Sequence, residues 1–343
     1  MRCAALLSLI PLMVQAAPHT AERITRDGLE VIRLFDPGSN TEVLIVPSLG
    51  NNSYEMTVNG KRVFWSPYRT LAEFKAKPTF LGNPFLAPWA NRLDQDAFYA
   101  NGKKYLLNPE IKNIARDGNG HPIHGLLSFS PEWRVFRLTA GASSAEVSSR
   151  LEFSKFPAYL AQFPFPHTIE MTYRLTGTEL QVETAIQNLS GEAMPLAIGF
   201  HPYFQVNDAP RDEWTVHLAA RDHVVLSKAL IPTGERKPVE AKGPLSLKST
   251  QLDDVFTNLV RNAEGLAEFW VKGKKEQVSV IYGPKYTVAV AYAPPGRGFI
   301  CFEPMTGLTN AFNLAQAGLY PELQSIPAGQ TWTESFWIRA SGF

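Results

Sequence analysis

Apolar and polar residues alternate strictly over long stretches of this chain. Between residues 168 and 175, Ile169, Met171, Tyr173 and Leu175 alternate with Thr168, Glu170, Thr172 and Arg174. Beyond Gly177 the pattern resumes, with Leu180, Val182, Thr184 and Ile186 set against Gln181, Glu183, Ala185 and Gln187. A period of two places each set on one face of a half-buried strand, and two such runs joined by a glycine-containing turn predict a hairpin. The same pattern predicts strands over residues 41–46, 54–58, 145–153 and 332–338, and a second hairpin of 278–282 with 287–292 around Gly283-Pro284. Helical periodicity is confined to residues 70–75 and 308–317. Prolines and glycines are scattered between the strands rather than gathered into a linker, and no internal repeat is evident. The fold expected is all-β: one large antiparallel sandwich over residues 17–343 with few short helices, two stacked β domains being the alternative.

The first residues carry a different pattern. A single positive charge at Arg2, a short apolar run from Ala4 to Val14 and the small-residue ending Val14-Gln15-Ala16 have the layout of a secretory signal peptide. The run is too short to span a bilayer. Cleavage after Ala16 and a secreted or periplasmic location are expected from it. Of 33 basic residues the segment removes Arg2 and no acid, leaving a neutral mature chain with 32 acidic side chains. Such a balance supplies no attraction to nucleic acid or an anionic membrane. Of two cysteines Cys3 leaves with the segment, so Cys301 has no internal disulfide partner and reads as a small buried apolar side chain. No Cys/His cluster has zinc-site spacing, and no metal or cofactor is expected.

Four segments place titratable groups among glycine, proline and aromatic residues. The first, residues 82–93, offers Asn91 and Arg92 beside Phe85 and Trp89, the mixture of flat rings and polar groups that sugars require. Two prolines bar regular ladder pairing there, so it is an ordered loop or a sheet edge. The second is His121-Pro122-Ile123-His124-Gly125, and the third Gly199-Phe200-His201-Pro202-Tyr203-Phe204. In both, a histidine sits where proline or glycine pins the backbone. The fourth, Phe299 to Gly307, reads as an apolar strand that ends in Glu303 before Pro304. A carboxylate partly desolvated in that position gains a raised pKa and serves as a base near neutrality. Taken singly, each segment also has a plain structural explanation: a packed aromatic loop, a satisfied core histidine, a strand-end glutamate facing water.

Together and in this order, the segments resemble the aldose 1-epimerase family. Pro88-Trp89-Ala90-Asn91-Arg92-Leu93 looks like its Asn-Arg substrate loop, His124-Gly125 like its His-Gly site, and His201-Pro202-Tyr203-Phe204 like its second histidine motif. Leu252-Asp253-Asp254-Val255-Phe256 is similar to the segment with its substrate-binding aspartate, and Glu303-Pro304-Met305-Thr306-Gly307 to the loop with its catalytic glutamate. The resemblance implies a β-supersandwich, with Glu303 as general base and His201 as general acid. It further implies that Arg92, His124, Asp253 and Asn91 bind the sugar. Asp254 competes with Asp253 for that role, and Leu126 stands where many galactose mutarotases have a second glycine.

The reaction implied is acid–base opening and reclosure of a free hexose ring, with Glu303 ionised and His201 protonated, by a monomer or homodimer without cofactor. Two alternatives are a hexose-6-phosphate 1-epimerase, served by basic residues near Arg92, and a carbohydrate-binding protein without catalysis. A glycosidase needs two carboxylates flanking the bond, and only Glu303 stands out.

Overall fold

The computed structural model describes residues 18–240 and 243–343. The segment expected to act as a signal peptide lies outside them. Three sheets carry the architecture, all of their pairings antiparallel, with short helices only at Leu71–Ala76, Pro157–Leu160 and Ala311–Gln316 among the described residues. The first helix begins where the sequence predicts, because Thr70 and Glu73 form a reciprocal capping box. No described helix is long and apolar enough to cross a membrane.

A five-stranded sheet runs in sequence order from Thr20–Arg26 to Lys61–Arg62. A nine-stranded sheet contains the predicted hairpin, now His167–Thr176 paired with Glu179–Asn188, whose inward set is buried at every second residue. The eight-stranded sheet places Leu252–Leu259, Val288–Ala293 and Ile300–Met305 side by side. The two large sheets meet through aromatic pairs: Phe200 lies 4.7 Å from Phe336 and Phe269 lies 6.2 Å from Phe302, ring centre to ring centre. One buried apolar cluster extends across the sheets, as a large sandwich requires.

Two expectations are corrected. Residues 278–282 and 287–292 do not form a hairpin. Gln277–Tyr282 pairs within the nine-stranded sheet and Val288–Ala293 within the eight-stranded one, so Gly283-Pro284 carries the chain from one layer to the other. Both are interior strands, nearly all of whose residues are buried. The second correction concerns Glu303, which does not end its strand. Ile300–Met305 continues through Pro304, whose register partner on one side is Ala289. The N–H of Thr306, two residues on, donates to Ile198 on the other side. By alternation the absent donor of Pro304 faces that side too, where the ladder is already open.

Candidate active site

Alternation within the eight-stranded sheet assembles the site. Ile300 and Phe302 point into the main core, so Cys301 and Glu303 face the other way. Register then aligns Asp253, Tyr292, Cys301 and Tyr203 in one row across four strands. The strands Gly199–Phe200 and Tyr203–Phe204 both pair with Ile300–Met305, through Gly199 with Met305 and Tyr203 with Cys301. Between them His201-Pro202 leaves the ladder, and the His201 N–H donates instead to Pro84 O at 3.0 Å. His201 is thereby set across from Glu303, with Nε2 at 3.3 Å from Oε1. Gly199 is required at the neck of this device, since a Cβ there would lie 2.8 Å from Met305 Cγ and 3.0 Å from Pro304 O.

A second wall is built by the two loops flagged from the sequence. Residues 87–93 and 122–127 exchange backbone hydrogen bonds, Leu126 and Leu127 N–H to Ala87 O and Leu93 N–H to Pro122 O. Asn91 (φ 58°) and His124 (φ 60°) both adopt the left-handed conformation, which Asn and His tolerate better than most residues. They bond reciprocally: His124 N–H donates to Asn91 O at 2.9 Å, and Asn91 N–H donates to His124 Nδ1 at 3.2 Å. Accepting at Nδ1 leaves the imidazole proton on Nε2, free to donate to a sugar hydroxyl. The His124 and His201 rings stand edge to face at 5.4 Å, and Phe80 packs on both.

Burial decides the electrostatics. Glu303 is 1% exposed, His201 7% and His124 8%. Desolvation pushes the Glu303 carboxyl well above the usual carboxylate range, aided by the charge of Asp253 and opposed by Arg92. Desolvation also lowers His201 to about 3 and His124 well below the ordinary imidazole value, with Arg92 adding to both. Both shifts favour a proton on Glu303 and a neutral His201. A dry pocket favours the uncharged form of each partner. Burial, with Glu303 beside it, likewise raises the Cys301 thiol, so this cysteine is held protonated and unreactive.

Asp253 and Asp254 separate by the same alternation. Asp254 lies on the opposite face, where its carboxylate meets His223 Nε2 at 2.8 Å. Asp253 stands exposed at the rim on the Glu303 side, its carboxyl raised by the surrounding protein and by Asp254 and lowered by Arg92.

The fold and motif order agree with known proteins. The aldose 1-epimerase family model matches residues 38–339. The chain belongs to the aldose 1-epimerase family. The YihR protein of Escherichia coli K12, itself uncharacterized, is 27% identical over 235 residues, covering 66% of this chain and 70% of its own. A galactose mutarotase-like protein from Clostridium acetobutylicum superposes with a TM-score of 0.83 at 21% identity, over 95% of this chain and 98% of the other. Galactose 1-epimerase from Lactobacillus acidophilus superposes with a TM-score of 0.74 at 14% identity, over 95% and 99%. At these identities the two structures speak for the fold.

Within this epimerase fold, Glu303, His201, His124, Arg92 and Asp253 lie close enough to influence one another's charge. Asn91 stands apart in role. Its Oδ1 accepts from Arg92 N–H at 2.9 Å and from Arg92 Nη1 at 3.0 Å, so its oxygen holds Arg92 rather than a ligand. Asp117, which the sequence analysis did not single out, does the same from the other side. Its Oδ2 accepts from Arg92 Nε at 2.6 Å, and its Oδ1 from the backbone N–H groups of Asn119 and His121. Those bonds hold its pKa at about 2 against the opposing effect of burial. The signal available was the turn Asp117-Gly118-Asn119-Gly120 just before His121. Asp117→Asn removes a charged hydrogen bond of about 1.5–3 kcal/mol. The expected result is a KM raised by roughly tenfold or more with a smaller change in kcat. An unchanged KM for the folded variant would show that Arg92 needs no such support.

Proposed function

We propose that the protein is a mutarotase, interconverting the α and β anomers of a free hexose. The observation that carries this is the buried His201–Glu303 pair, Nε2 to Oε1 at 3.3 Å, on a face lined by His124 and Arg92. Binding alone needs no desolvated acid–base pair, which disfavours a purely carbohydrate-binding role. A phosphorylated hexose is disfavoured as well: Arg92 is committed to Asp117, and nearby Arg116 pairs with Asp96 at 2.8 Å. Export through residues 1–16 is part of the proposal, and the mass of the mature protein tests it.

The ion-pair form that starts the reaction differs from the resting form by one proton moved across the His201–Glu303 contact. Hydroxyls of the bound sugar stabilise it, and the Arg92 guanidinium favours its carboxylate half. Glu303 carboxylate then takes the proton of the C1 hydroxyl as the C1–O5 bond breaks and the C1 carbonyl forms. His201 Nε2–H gives its proton to O5. Rotation about C1–C2 presents the other carbonyl face, O5–H attacks C1, and the two protons return along the same routes. Nothing is consumed, and each positioned group contributes about 10²–10⁴-fold.

The pH dependence follows from the pair holding a single proton. Below about 3, His201 also protonates and no base remains. Well above the usual carboxylate range Glu303 loses its proton and no acid remains. Initial mutarotation rates, corrected for the uncatalysed reaction, should therefore rise through about pH 3, stay level, and fall on the alkaline side. A rate constant from acid to alkaline pH would contradict the pair.

A further inference from the structure

We infer that the site continues into a subsite for a second sugar unit, so that the preferred substrate is the reducing end of an oligosaccharide rather than a free monosaccharide. This rests on the mutarotase proposal for the reacting end only. A groove of ≈ 300 Å³ opens beside the catalytic face and shares two of its residues, His124 and Phe80. That volume sits at the lower edge of the ~300–1,000 Å³ found for small-ligand sites.

Leu126, Phe129, Ser130 and Tyr159 form the rest of its wall that matters here. Phe80 and Phe129 pack at 5.4 Å, giving the groove aromatic surface beside His124. Leu126, Phe129 and Tyr159 are each half-buried and present apolar surface to it. Tyr159 Oη, held at 2.8 Å by Ser130 Oγ, has hydrogen-bonding capacity left for a ligand in the same groove. Ring faces beside fixed hydroxyls suit a pyranose, whose C–H faces stack while its rim hydroxyls exchange hydrogen bonds. Leu126 also gives this wall the bulk that a glycine at its position would lack.

The chemistry fixes how such a unit is attached. Ring opening requires a free hydroxyl on C1, so a second unit hangs from another hydroxyl of the reacting sugar. His124 lies between the His201–Glu303 pair and the groove, and a chain leaving the reacting unit passes it. The ligand class is thus a reducing disaccharide or longer oligosaccharide.

The test compares mutarotation of maltose, cellobiose, lactose and laminaribiose with that of glucose and galactose. At least one disaccharide should show a kcat/KM about tenfold or more above its component hexose, equivalent to roughly 1.4 kcal/mol. Leu126→Trp, which fills the groove, and Tyr159→Ala, which strips an aromatic wall from it, should each remove that advantage and leave the hexose rates unchanged. Disaccharides no better than hexoses, or variants that depress both alike, overturn the subsite. Calorimetric titration with the same sugars separates this from the mutarotase proposal. If no sugar is turned over but a disaccharide binds tenfold tighter than the hexose, and Leu126→Trp abolishes the difference, the subsite stands and the catalytic proposal falls. Equal binding of both overturns the subsite whatever the activity.

Discussion

Glu303→Gln is expected to lower kcat for mutarotation by about 10²–10⁴-fold, the contribution of one positioned acid–base group. Glutamine keeps the shape and length of the side chain and fits the same buried space against His201. What it lacks is the ability to take and return a proton. Because the resting site already favours an uncharged Glu303, the amide should cost little stability, and a thermal midpoint measured alongside separates it from an unfolded variant. Sugar affinity should also survive, since His124, Arg92 and Asp253 are untouched. Polarimetry of fresh α-D-glucose and α-D-galactose with both proteins is the measurement. A folded variant that retains wild-type kcat would remove Glu303 from the chemistry and leave family membership intact.

Much of this architecture was legible because alternation is a local signal. The strand His167–Thr176 buries every second residue, as the sequence pattern requires. Sheet membership was not legible where both faces are buried. Gln277–Tyr282 and Val288–Ala293 are nearly continuous apolar runs, and such a run does not reveal which sheet its neighbours belong to. The candidate site divides in the same way. His201, His124 and Glu303 drew attention through adjacent proline and glycine, which are sequence features. Their convergence depends on the register of strands about a hundred residues apart, Gly199 opposite Met305 and Tyr203 opposite Cys301. The resting protonation of the pair depends on burial, a tertiary quantity, and the sequence pattern carries no signal for it. Phe80, one of 21 phenylalanines, carries no local mark of its place between the two histidines.

Gly125→Ala should be strongly damaging although glycine offers no side chain to a substrate. Gly125 has φ 65°, where a side chain costs about 1–2 kcal/mol. A Cβ there would also be driven into the carbonyl of Ala87 and lie 2.8 Å from Pro88 N, all of it backbone that cannot rotate away. Overpacking of this kind costs about 1–3 kcal/mol, so the total loss expected is ~2–5 kcal/mol, read from the denaturant midpoint. The functional effect should exceed what stability explains. Relief of the clash requires the 87–93 and 122–127 loops to part, and the same bonds that hold them together position His124 and Arg92. At temperatures where the variant is still folded, kcat/KM should fall by at least tenfold. A variant destabilised to this extent but fully active would show that the catalytic face does not depend on the joining of these loops.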